Sequence, residues 1–215
     1  MFAARNAFMT GSAAPAASVT FLGVSAVQAV GTSFSYTVPT GASLMAVVVG
    51  WNSNSTTGTG VTVDSTSITR SVRSTSGAGA QNTLDIYTQL NPTVGSRTIL
   101  ASGPSTGTTN TAVYVLTYSN CSSLGTTYSA STSGSSSITF STVANGLGLY
   151  GGYFRSGANT IVMSGTGLTS RAATARSNFV NINVGDIPSG TATISPNTAV
   201  PTLYPLIAGI QLLPT

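Results

Sequence analysis

Leu84-Asp85-Ile86-Tyr87-Thr88-Gln89-Leu90 alternates apolar and polar side chains with a period of two, which marks a strand with one covered face. Leu84, Ile86 and Leu90 share that face, so Asp85, Tyr87 and Gln89 fall on the other and Asp85 is expected to point outward. Runs of the same kind, bounded by Gly, Asn, Ser or Pro, recur at 19–26, 33–38, 44–51, 60–63, 67–73, 97–101 and 112–119. A second series follows at 137–141, 146–154, 160–163, 168–174, 178–184, 191–195 and 203–213. With Glu and Lys missing, helix formers are scarce, and no helical pattern interrupts the strands. The expected class is therefore all-β, an antiparallel β-sandwich of jelly-roll type. A short N-terminal arm, 1–17, precedes a single domain, 18–215.

The two series echo each other at an offset near one hundred residues. Thr66-Ser67-Ile68-Thr69-Arg70 parallels Thr166-Gly167-Leu168-Thr169-Ser170-Arg171, and Asn91-Pro92-Thr93-Val94-Gly95-Ser96-Arg97-Thr98-Ile99 parallels the stretch from Asp186 to Ile194. This reads as one sandwich with a weak internal repeat, about 30–120 and 135–213, although two small domains are the alternative. The Ser/Thr/Gly-rich stretch 122–136 is expected to cross between the halves.

Composition narrows the chemistry. The 215 residues include 41% hydrophobic and only 5% charged side chains, against roughly 25% charged in an ordinary globular chain. Ser and Thr together number 67, yet a mean hydropathy of +0.30 separates the chain from a disordered linker and predicts that it folds. All seven bases are Arg, all three acids are Asp, and His, Lys and Glu are absent. There is then no imidazole base, no Schiff-base lysine and no P-loop lysine. A glycosidase would need two facing carboxylates, and calcium a carboxylate cluster. Asp64, Asp85 and Asp186 are far apart in sequence, and Asp186 is expected to cap the turn Gly185-Asp186-Ile187-Pro188. The reading is non-enzymatic, with no cofactor and no metal.

Cys121 stands alone and is expected to be a small packed residue. The opening residues make a poor signal peptide, because Gly11, Pro15 and Gly23 interrupt the apolar run and only Arg5 supplies positive charge. No run approaches a membrane span, so a soluble protein without a membrane partner is expected. The net charge of +4 rests on dispersed arginines from Arg5 to Arg176, which form no stripe for nucleic acid. In Ile68-Thr69-Arg70-Ser71-Val72 strict alternation puts Arg70 on the same face as Ile68 and Val72, so it is expected to be paired or at a sheet edge, with an acid such as Asp64 as its partner or with its side chain reaching another subunit.

Val38-Pro39-Thr40-Gly41 before an apolar strand, Ser67-Ile68-Thr69-Arg70, Asp85-Ile86-Tyr87-Thr88-Gln89-Leu90-Asn91-Pro92 with Gly95-Ser96-Arg97-Thr98-Ile99, and a closing Ile207-Ala208-Gly209-Ile210-Gln211-Leu212 resemble β-sandwich structural modules of tailed bacteriophage virions. The opening Met1-Phe2-Ala3-Ala4-Arg5-Asn6 is similar to the starts of small phage structural genes. The resemblance covers about 30–213 and implies a virion structural protein: a head decoration or cement protein, a fibre or a tail component. It also implies a place on the virion surface after synthesis in the host cytoplasm, and the major capsid protein or another virion protein as partner. By the same analogy a homotrimer is expected, since few charges are present to protect sheet edges.

Two candidate surfaces follow. In the arm, Phe2, Phe8 and Met9 are large apolar residues with Arg5 beside them, a candidate assembly interface that docks on a neighbouring subunit or shell or folds back on its own sandwich. Trp51 and Arg70 are candidate surface contacts. A carbohydrate-binding or receptor-binding module of a fibre or tail is the rival reading, with Trp51, Tyr87, Tyr114, Tyr150 and Tyr153 as a conceivable stacking platform.

Overall fold

The computed structural model of the chain describes residues 16–52, 59–76, 82–103, 110–131, 137–154, 162–176, 180–197 and 205–215. It is all-β, with no helix among the described residues. The first half holds β1 (Thr20–Val24), β2 (Phe34–Val38), β3 (Leu44–Asn52), β4 (Gly60–Val63), β5 (Thr66–Ser67), β6 (Thr69–Thr75), β7 (Asn82–Leu90), β8 (Gly95–Ser102) and β9 (Thr111–Ser119). The second holds β10 (Cys121–Ser131), β11 (Ile138–Thr142), β12 (Leu147–Phe154), β13 (Met163–Gly165), β14 (Thr169–Arg176), β15 (Val180–Ile187), β16 (Gly190–Pro196) and β17 (Leu206–Pro214). The arm, with Phe2, Arg5, Phe8 and Met9, lies outside the described residues.

Four antiparallel sheets result, in the orders β1-β9-β3-β7-β6, β2-β8-β4-β5, β10-β17-β12-β15-β14 and β11-β16-β13. The second pair repeats the first strand for strand, β5 excepted. In the first half β1 pairs β9, β2 pairs β8, β3 pairs β7 and β4 pairs β5, so pairings nest inside one another. The second half repeats the three outer pairings with β10 on β17, β11 on β16 and β12 on β15. The segment expected to cross between halves therefore contributes strand β10 over its first ten residues. Its apolar side chains, Leu124, Tyr128 and Ala130, are too sparse to announce a strand, and pairing with β17 supplies what the pattern lacks.

The sheets stack in four layers, and three apolar cores fill the gaps. Met45, Val47, Val49 and Tyr87 pack between β3 and β7 and the outer sheet of the first half. Leu44, Val48, Leu84 and Ile86 turn the other way and meet Tyr153, Ile182 and Leu206 of the second half in a central core. Phe140, Tyr150, Ile187 and Ile207 form the third core under the β11-β16-β13 sheet. Both five-stranded sheets are thus covered on both faces, which is why β3, β9 and β15 are buried almost end to end. The expectation for Asp85 fails for the same reason. Its side of β7 faces the outer core and it is 0% exposed. Leu90, expected inside, ends the strand at 38% exposure.

The halves are related by a pseudo-two-fold axis running roughly along β3 and β12. Gly50 lies opposite Leu84 and Ala112, and Tyr153 lies opposite Ile182 and Leu206, so Gly50 and Tyr153 are equivalent positions. By the same register Val48 is equivalent to Gly151. Equivalent residues touch: a Cβ on Gly50 would sit 2.7 Å from the Tyr153 ring, and one on Gly151 would sit 2.9 Å from Val48. Each glycine makes the room that its counterpart fills.

Candidate functional site

The most connected polar cluster lies in the outer layer of the first half. Asp85 accepts two hydrogen bonds from Arg73, Nε to Oδ1 and Nη2 to Oδ2, both at 2.7 Å. Thr59 donates to Oδ2 at 3.4 Å, and the Tyr87 hydroxyl stands 3.3 Å from the same oxygen and 3.2 Å from Thr59 Oγ1. Arg73 is partly open to solvent, whereas Asp85 is closed off. The carboxylate beside it drives the Arg73 pKa further up, and burial raises that of Tyr87. Both oxygens of the buried carboxylate are thus held by the bidentate guanidinium.

Arg70 stands beside the cluster, exposed, with Nη1 3.5 Å from Thr59 Oγ1. A β-bulge between Arg70 and Val72 interrupts the alternation. Arg70 lies opposite Tyr87 on the outer face while Val72 lies opposite Ile86 on the central face, so the two do not share a side. Asp64 is not its partner either. That carboxylate accepts from the Thr98 backbone N–H at 2.8 Å and from Arg97 at 3.0 Å, and these donors, the N–H foremost, hold its pKa below the usual range.

Asp186 belongs to β15 and does not cap a turn. It receives Arg171 Nε at 2.7 Å and Nη2 at 3.1 Å, and the Phe21 ring lies 4.1 Å from the same guanidinium. Burial pushes its pKa up while Arg171 pulls it back part of the way. β14 carries a bulge at the place equivalent to that in β6, between Ser170 and Ala172. Arg171 and Asp186 thereby occupy the positions that Ser71 and Thr88 hold in the first half, where the two hydroxyls bond at 2.6 Å. Ala173 opposite Asn183 correspondingly replaces Arg73 opposite Asp85. The signal that sequence reasoning missed was arithmetic: each of the three Asp residues holds one Arg, so three of the seven arginines are neutralised.

The aromatic candidates are inside. Trp51 is 1% exposed, a correction to its expected surface role, because its position on β3 faces the outer core, with Arg73 6.0 Å from its ring centroid. Tyr87, Tyr114, Tyr150 and Tyr153 are buried as well, so these five residues form no external stacking platform. Tyr150 donates to Asn183 at 2.9 Å and Tyr153 to Asn82 at 3.2 Å, both as internal braces. Burial lifts the Cys121 thiol to about 11, which keeps it a protonated packing group.

What faces solvent is mostly hydroxyl. Thr139 and Ser141 of β11 and Thr191 and Thr193 of β16 line the outside of the β11-β16-β13 sheet, with Thr139 and Thr193 joined at 2.8 Å. No group of three His, Cys, Asp or Glu side chains that could hold a metal occurs among the described residues, and no described helix is long and apolar enough to cross a membrane. Comparisons with protein-family models, with curated proteins and with solved structures find no match to this chain.

Proposed function

We propose that the chain is a non-enzymatic structural protein of a tailed-phage virion that decorates and stabilises the assembled shell as a multimer. The observation that carries this reading is the nested strand pairing, first with last and second with next to last, present in both halves. We read such a folded-up antiparallel ribbon as a jelly roll, an architecture of viral capsid and lectin domains. The link from architecture to role is analogy. Two features favour the shell over the sugar: the candidate stacking aromatics are internal, and every Asp is committed to an Arg. The dispersed charge left over, on arginines alone, suits an acidic protein surface. The glycan-binding rival retains the hydroxyl-lined outer face of β11 and β16.

Mass spectrometry of gradient-purified particles from the source tests the proposal. The chain is expected in the particle fraction at many copies per shell. Its absence from particles, with the free protein abundant in the lysate, would overturn the reading, and saturable binding to host glycans would favour the rival.

A further inference from the structure

We propose that β10 is the edge through which two copies of this chain join, each β10 pairing antiparallel with its counterpart about a two-fold axis. This deepens the multimeric part of the reading above and rests on it. The four sheets have eight edge strands. Five of these, β1, β2, β5, β11 and β13, run only two to five residues. β6 carries Arg70 and Arg73, and β14 carries Arg171 and Arg176. Short length and charge are the two common ways of keeping an edge from accepting another strand. β10 has neither protection: it is 11 residues long, the longest strand described, with no charged residue and no proline, and its two register irregularities both fall before Thr127, which leaves Thr127 to Ser131 regular.

Its outer side pairs with no described strand. β6 packs close to β10 and β17, where Ser74 donates to the Ala130 carbonyl and takes that one acceptor, and forms no ladder with β10. The side chains that project are small and hydroxylic: Ser122, Ser123, Thr126, Thr127 and Ser129 are all exposed. A second copy fits this edge better than a charged partner does. About a two-fold axis an antiparallel strand sets residues equally far on either side of the axis opposite one another, and along β10 no such pair includes a charge, whereas a single charged residue near the axis would face its own copy. Arg73, next to the Ser74 that bonds β10, is neutralised by Asp85, which lowers the electrostatic cost for two chains of net charge +4 to meet here. The arginines of β14 lie four strands away, roughly 19 Å at the usual strand spacing and beyond the screening length at physiological salt. The expected order is thus a two-fold pair, not the trimer that analogy with virion decorations implies.

Analytical ultracentrifugation compares the wild type with Thr127→Lys/Ser129→Lys and with Thr191→Lys/Thr193→Lys, which charges the exposed outer face of β16. The wild type and the β16 variant are expected to sediment at twice the 21.5 kDa chain mass, and the β10 variant to dissociate at least about 100-fold more readily. Should the β10 variant fail to fold, hydrogen exchange on the wild type decides: β10 amides gain protection between roughly 1 and 100 µM chain while those of β14 do not. A monomeric wild type, a multimer indifferent to the β10 charges, or exchange in β10 that ignores concentration would overturn the inference. If the pair fails and the chain still sits on particles, only this inference falls. If the pair holds and the chain is absent from particles, the virion reading falls alone.

Discussion

Removing the two partners of the buried ion pair should have unequal effects, and the inequality follows from exposure. In Arg73→Ala the Asp85 carboxylate, 0% exposed, loses both of its 2.7 Å donors and keeps only Thr59 and Tyr87 at 3.4 and 3.3 Å. Breaking a buried pair from one side costs about 3–5 kcal/mol. In Asp85→Ala the guanidinium left behind is 23% exposed and can turn to water, so the loss should be about 1–3 kcal/mol, the worth of hydrogen bonds to a charged group. Urea unfolding followed by Trp51 fluorescence measures all of this, because the single Trp is buried beside the pair. The reasoning is refuted if Asp85→Ala is the more damaging variant.

Three further outcomes are expected. Gly50→Val should destabilise by at least about 1–3 kcal/mol in the same urea assay, the usual penalty for overpacking, since its Cβ would start 2.7 Å from the Tyr153 ring. Cys121, 2% exposed with its thiol near 11, should resist a thiol reagent at pH 8 in the native protein and react fully in urea, and rapid native labelling would contradict its burial. Asp64 has a lowered folded pKa, so its contribution is present above the unfolded value and is lost as pH falls through the folded one. Thermal unfolding of Asp64→Asn should therefore depend less steeply on pH below about 4 than the wild type, with no change in slope between pH 5 and 8.

The strands were legible because local alternation reports a covered face, and the layers were not because alternation cannot count how many faces are covered. At Leu84 to Leu90 the period of two places Leu84 and Ile86 on one side, as observed, and says nothing of a further sheet on the other. Asp85 and Trp51 were read as outward from this gap. Arg70 lies at a sheet edge, one of the two places expected for it, and the bulge after it reverses the facing of Val72. β10 escaped because its strand character comes from pairing with β17, a contact with residues more than seventy positions away. The ion pairs were hidden likewise, for Arg97 reaches Asp64 across 33 positions of chain.

The weakness of the internal repeat has its own physical cause. Residues related by the axis meet in the central core, and two large side chains cannot occupy one space. Gly50 against Tyr153 and Gly151 against Val48 must differ to fit, so the sequence diverges where the fold is most alike. The edges diverge as well. β1 and β10 hold equivalent places beside β9 and β17, but β1 stops after five residues, the chain stays beside β9 only through Ser25 and the isolated bridge of Gln28 to Val113, and it then crosses to the outer sheet, where Gly31 donates to Ala101. β10 continues along β17 to Ser131. Had both edges stayed long and uncharged, each copy could join two neighbours and the product would grow as an open fibre. One short edge and one long, uncharged edge would limit the union proposed for β10 to a pair.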